Sequence, residues 1–103
     1  MNTTGLMALA DHIEANTSRT FNMSTYSGCF LGFNADMLKW PTIDMVNPKS
    51  FAAHYEITVD QARSLCWGDY PLSTNLRYVS REQGVRTLRH FAGTGMVDFT
   101  IGQ

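Results

Sequence analysis

Cysteine is scarce in this sequence: two residues in 103, too few for a disulfide framework. Charge is sparse as well, with 17% Asp, Glu, Lys and Arg. Eight Lys+Arg stand against nine Asp+Glu, giving a net charge of −1 and a pI near 6.2. A protein that lives by neutralising phosphates carries a basic excess, and there is none here. Long apolar runs are missing too. The longest, Cys29-Phe30-Leu31-Gly32-Phe33, is far short of a membrane span. Asp11, His12 and Glu14 interrupt the N-terminal apolar residues, so no signal peptide is expected. A reducing cytoplasm follows as the expected compartment, with Cys29 and Cys66 as thiols. The Asn-x-Ser/Thr triplets at Asn2, Asn16 and Asn22 then read as chance matches.

Against these absences stands a hydrophobic content of 44%. That excludes a disordered chain, and a domain of this length withdraws roughly 65% of its unfolded surface from water. Residues 1–103 are expected to form one α-helical domain.

Leu6, Leu9, Ala10 and Ile13 recur at helical spacing and predict a helix over 5–15, stopped at Asn16. Residues 17–27 read as irregular, pinned by Phe21, Met23 and Tyr26. A second helix over 28–38 is apolar nearly all round, hence central. Gly32 in its middle suggests close approach of another helix, and Trp40-Pro41 is the expected stop. Asn47-Pro48 supplies an N-cap and a first-turn proline for a third helix, which ends near Glu56.

Thr58-Val59-Asp60-Gln61 is a capping box opening a fourth helix to Trp67, with Val59, Ala62, Leu65 and Cys66 as its apolar stripe. Turn formers fill 68–79, with Gly68 as the natural residue just past that helix. Ser80-Arg81-Glu82-Gln83 is a second capping box. The last helix turns Val85, Leu88, Phe91 and Ala92 inward and Glu82, Arg86, Arg89 and His90 outward. Gly93 and Gly95 are expected to stop it, leaving 96–99 extended. The expected fold is all-α: a single compact domain of about five short helices.

Three segments resemble a loose family of small uncharacterised proteins encoded by phages and by mobile elements in bacterial genomes. Phe21-Asn22-Met23-Ser24 and Cys29 through Ala35 are similar to its "F-D/N-M … C-x-x-G-H-A-A" stretch. Ala52, Thr58, Gln61, Ala62 and Leu65 match "A-x-x-L-G-L-T-x-x-Q-A-x-x-L-F". Ser80 through Phe99 resembles "S-x-E-Q-A-x-x-x-L-R-H-L-A-x-T-G-x-V-D-W" at Ser80, Glu82, Gln83, Leu88, Arg89, His90, Ala92, Thr94, Gly95, Val97 and Asp98. Tyr55, Glu56, Cys66 and Gly84 depart from the pattern. Phe33 stands where a histidine is frequent, and Ser27-Gly28 replaces a Cys-Gly-Thr. The resemblance implies a bacterial host cell and no settled activity.

The residues themselves bring no catalytic set, cofactor motif or metal site into view. Cys29 and Cys66 lie among apolar neighbours, which suits small buried hydrophobes better than nucleophiles. His12, His54 and His90 fall on different helices with no ligand spacing. No Gly-x-Gly-x-x-Gly or Gly-Lys-Ser/Thr loop is present.

The leading expectation is therefore a non-enzymatic binding protein, encoded by a phage or mobile element. It would dock on a host bacterial protein as a counter-defence inhibitor or host-takeover factor. Its expected contact surface is Trp67, Tyr70, Arg86 and Arg89, since Trp, Tyr and Arg anchor interfaces. The alternative is a helix-turn-helix DNA-binding regulator over residues 51–67, offering Asp60, Gln61, Arg63 and Ser64 to base edges. Nucleic acid is the less favoured partner on charge. A third reading, a small-ligand binder, requires a pocket of roughly 300 Å3 or more lined by convergent polar groups.

Overall fold

Asn2 opens the first helix. In the structure, a computed structural model that describes residues 1–25, 27–41, 43–67 and 79–102, its side chain accepts a hydrogen bond from the Gly5 N–H at 2.9 Å. The helix α1 accordingly spans Thr3–Ala15, beginning earlier than the expected residue 5. An asparagine cap satisfies a donor that the first helical turn would otherwise leave free. The Asn2 N–H also donates to the Tyr55 carbonyl at 2.8 Å, fastening this helix start to the middle of the chain. Leu6, Leu9, Ala10 and Ile13 are fully buried, as their spacing predicts.

The other end of α1 is closed from a distance. Arg81 donates from Nη1 to the carbonyls of Ile13 (2.7 Å) and Asn16 (3.2 Å), and from Nη2 to the carbonyl of Arg19. A cation suits this helix end, where unpaired carbonyls gather negative potential. Its guanidinium carbon also lies 5.8 Å from the Phe21 ring centre and 5.4 Å from that of Phe33.

The segment after α1 is irregular, as expected, but tightly closed. The Asn22 N–H donates to the Gly28 carbonyl at 2.9 Å, and the Cys29 N–H to the Thr25 carbonyl at 3.1 Å. A Cβ on Gly28 would stand 2.7 Å from the Asn22 backbone nitrogen, so only glycine fits. Because Ser27 and Gly28 belong to this turn, α2 runs Phe30–Leu38 instead of starting at 28. Its expected stop at Trp40-Pro41 is pre-empted by Lys39, which takes the left-handed conformation at φ 58°. Phe30 through Asn34 are buried, so α2 is central.

A 3-10 turn, Ile43–Met45, leads to α3, Pro48–Tyr55, capped by Asn47 accepting from the Ser50 N–H at 2.8 Å. Glu56 terminates α3 in the left-handed region. The expected Thr58 capping box is present in both directions: Gln61 N–H to Thr58 Oγ1 at 3.0 Å, Thr58 N–H to Gln61 Oε1 at 2.9 Å. It opens α4, Val59–Trp67. Ala62, Leu65 and Cys66 face inward, joined by Ser64. Val59, read as part of the inner stripe, lies outside at 45% exposure. The expected loop over 68–79 and its Gly68 helix stop fall outside the described residues apart from Val79.

The last helix, α5, is Arg81–Thr94. Ser80 Oγ caps it by accepting from the Gln83 N–H at 3.1 Å. The reciprocal half of that box is not made. Gln83, itself buried, donates instead to Thr87 Oγ1 at 3.2 Å and the Ile101 carbonyl at 3.0 Å. Nor does Glu82 claim Arg86, which is held by Gln83 Oε1 at 3.0 Å and the Ile101 carbonyl. The helix passes through Gly93, and Gly95 alone stops it at φ 77°. Residues 96–98 have no regular structure, and 99–102 curl into turns with Phe99 buried. The expected extended tail is thus a packed element, pinned where Thr87 donates to the Asp98 carbonyl at 3.1 Å.

Five α-helices and no strand occur among the described residues. The most extensive pairing is α1 with α5, followed by α3 with α4, while α2 touches α1 and α4. The radius of gyration, 12.0 Å, is close to the ~13 Å of a folded 100-residue domain. The all-α single-globule fold is therefore as expected.

Gly84 is held to glycine by the ring it faces. A Cβ there would lie 2.5 Å from the Phe21 ring tip. Gly84→Ala is expected to lower stability by about 1–2 kcal/mol through overpacking. That loss would exceed the ~1 kcal/mol by which alanine favours a helix. Thermal unfolding checks this, and a raised Tm would mean that Phe21 swings aside at no cost.

Candidate functional site

Of the four residues expected to form a contact surface, the three described ones have separate neighbourhoods. Arg89 is committed to α1: its Nη2 donates to Asp11 at 2.8 Å and Glu14 at 3.1 Å, its Nη1 to Glu14 at 3.1 Å. The Arg89 hydrogen bond holds the Glu14 carboxyl below the usual carboxylate range, and Arg89 is in turn pushed up. Arg86 is exposed but bound to Gln83 and the C-terminal turn. Tyr70 lies outside the described residues. Trp67 ends α4 at 37% exposure and lines a small cleft of about 110 Å3 with Met23, Ser24, Thr25 and Cys29.

Trp67 has a different companion from those expected. The Arg63 guanidinium carbon stands 5.9 Å from the Trp67 ring centre. Val59, Arg63 and Trp67, at i, i+4 and i+8, are all exposed, so they form one row along the outer face of α4. On the same helix Ser64 is buried and Gln61 is engaged in the capping box. Of the side chains expected to read bases, Asp60 and Arg63 are the exposed ones.

A second feature, a cleft of about 350 Å3, was not foreseen. Arg19, Ser27, Gly32, Asp36, Trp40 and Val46 line it. Arg19 reaches across from the loop after α1. Its Nη2 donates to the carbonyls of Ser27 (3.0 Å) and Gly32 (3.4 Å), while Nη1 lies 3.7 Å from Asp36 Oδ1. The other Asp36 oxygen, Oδ2, is 3.1 Å from His12 Nε2, tying α2 to α1. The Trp40 and His54 rings meet near right angles with centres 6.3 Å apart. Trp40 drew notice in the sequence as part of the expected stop of the second helix. Arg19 and Asp36 carried no signal, because their proximity depends on the turn at 22–28. The cleft meets the size expected for a small-ligand site.

Both cysteines are buried, and no disulfide joins them. Burial pushes the Cys29 thiol up and the Cys66 thiol further, so both stay protonated at neutral pH. Beside them the core holds one fully buried polar pair, Asn34 and Tyr55, whose hydroxyl donates to Asn34 Oδ1. Burial raises the Tyr55 phenol. Asn34 Nδ2 has no hydrogen-bond partner among the described residues. Among the described residues no group of three His, Cys, Asp or Glu is placed to hold a metal, and no helix is long and apolar enough to cross a membrane. Comparison with protein-family models, curated proteins and solved structures finds no match to this chain.

Proposed function

We propose that this chain is a non-enzymatic binding protein that docks on another protein through the outer face of α4. The observation that carries the reading is the Val59-Arg63-Trp67 row. Tryptophan and arginine are the commonest energetic anchors of interfaces, and an apolar residue two turns away extends the contact. The Arg63 stack limits the freedom that Trp67 would lose on binding, so less of the contact energy is spent on ordering. Arg86 and Arg89 move out of the contact set, since both are engaged within the fold. The similarity of three segments to phage and mobile-element proteins supports a host bacterial protein as partner, met in the cytoplasm and blocked by occlusion, as a counter-defence inhibitor would act.

Immobilised protein exposed to bacterial lysate should retain a partner in stoichiometric amount. Trp67→Ala should weaken that retention by about 2 kcal/mol or more, roughly 30-fold. Retention that survives Trp67→Ala would remove α4 from the contact, and no retained partner would remove the docking reading. A gel-shift titration over salt separates the DNA-binding alternative, because phosphate contacts give a steep negative salt slope.

A further inference from the structure

The Arg19–Asp36–Trp40 cleft carries an inference independent of the α4 surface. Its three principal side chains are each braced from behind. The Ser27 and Gly32 carbonyls hold Arg19, which also stacks 5.4 Å from the Phe33 ring centre. His12 holds Asp36 at 3.1 Å, and the Trp40 and His54 rings meet near right angles with centres 6.3 Å apart. Groups locked in this way lose little freedom when they bind something.

Two hydrogen-bonding atoms are left over. Arg19 Nη1 and Asp36 Oδ1 are 3.7 Å apart, too far to bond each other, and neither makes a hydrogen bond among the described residues. Arg19 Nε is buried with no hydrogen-bond partner among the described residues. A donor thus stands beside an acceptor in the lining of a cleft of about 350 Å3, to which Trp40 and Val46 add apolar side chains.

The occupant that suits this set must offer an acceptor and a donor on adjacent positions of one edge. It must be planar to lie against an indole, and uncharged, because Arg19 and Asp36 cancel. A peptide group fails the first condition, since its trans geometry points N–H and C=O in opposite directions. A phosphate would meet the Asp36 carboxylate, and a simple cation the Arg19 guanidinium. Purine and pyrimidine bases satisfy all three conditions through their pairing edges. We propose that this cleft binds a free nucleobase or nucleoside, its pairing edge bridging Arg19 Nη1 and Asp36 Oδ1 and its ring against Trp40. The chain's net charge of −1 favours the uncharged nucleoside over a nucleic-acid strand.

Adenosine titrated into the Trp67→Phe protein, which leaves Trp40 as the single tryptophan, should quench indole fluorescence saturably. N6,N6-dimethyladenosine, which lacks the edge donor, should bind at least about tenfold more weakly, the loss of one hydrogen bond to a charged group. Trp40→Leu, with binding followed by NMR shifts of the ligand, should lose about fivefold or more. Nuclear Overhauser contacts between adenine protons and Trp40 in the unmutated protein locate the ligand without any substitution. Adenosine that fails to saturate up to its solubility limit would overturn the proposal. So would equal binding of the dimethyl analogue, contacts that bypass Trp40, or a marked preference for AMP or a short oligoadenylate over adenosine. The last result would identify phosphate or a single strand as the true ligand.

Discussion

Arg81→Ala is expected to lower the unfolding free energy by about 3 kcal/mol, the scale of losing several hydrogen bonds from a charged donor to part-buried carbonyls. Arg81 holds the carbonyls of Ile13, Asn16 and Arg19 together and lies against Phe21 and Phe33. Its removal leaves α1 only the Asn16 N–H, which donates to the His12 carbonyl, as a cap, and loosens the segment that leads to Phe21. Lysine should recover less than half of the loss, because a single ammonium lacks the planar fork that spans several acceptors while stacking on a ring. Urea unfolding of the three proteins checks both statements. A cost within about 0.5 kcal/mol, typical of an ordinary surface change, would show that water replaces the guanidinium freely.

Tyr55→Phe should cost about 2 kcal/mol, since it strips the buried Asn34 amide of the hydroxyl that donates to its Oδ1. Asn34→Leu should cost a similar amount by orphaning the phenol. The double substitution should be far less damaging than the sum, because an apolar pair has no unmet hydrogen bond in the core. A double-mutant cycle measures this coupling. Additive losses would mean that the Tyr55 hydroxyl contributes nothing through Asn34, and that the damage is packing alone.

The local parts of the fold were readable where a short-range rule decides the outcome. Asn47-Pro48, the Thr58 box and the Ser80 cap each act within one turn, so α3, α4 and α5 begin where their sequences say. Burial of Leu6, Leu9, Ala10 and Ile13 followed from helical spacing. What escaped was set by partners distant in the chain. Gln83 was expected to face back to Ser80, but the Ile101 carbonyl and Thr87 outcompete that bond. Lys39 accepts a left-handed backbone before Pro41 can end α2, and Val59 rotates outward because Ser64 turns in.

The candidate sites divide in the same way. Trp67 was visible as a peripheral aromatic, but its pairing with Arg63 depends on the helical phase of α4. The Arg19–Asp36 cleft needs a loop, two helices and the Gly28 turn to be in place together. No periodicity or motif announces such a meeting. Arg89, which reads as a free surface cation, spends its donors on α1 carboxylates that lie some 75 residues away in sequence.

The α1–α5 pairing has a consequence for synthesis. During synthesis α1 emerges well before α5, so the most extensive helix contact among the described residues has no second half until α5 has been made. Both helices are short enough to be marginal in isolation, and closing so long a loop precedes any reward from the contact. The emerging chain should therefore remain unfolded on the ribosome, with Leu6, Leu9 and Ile13 open to chaperones, and then fold in one late step.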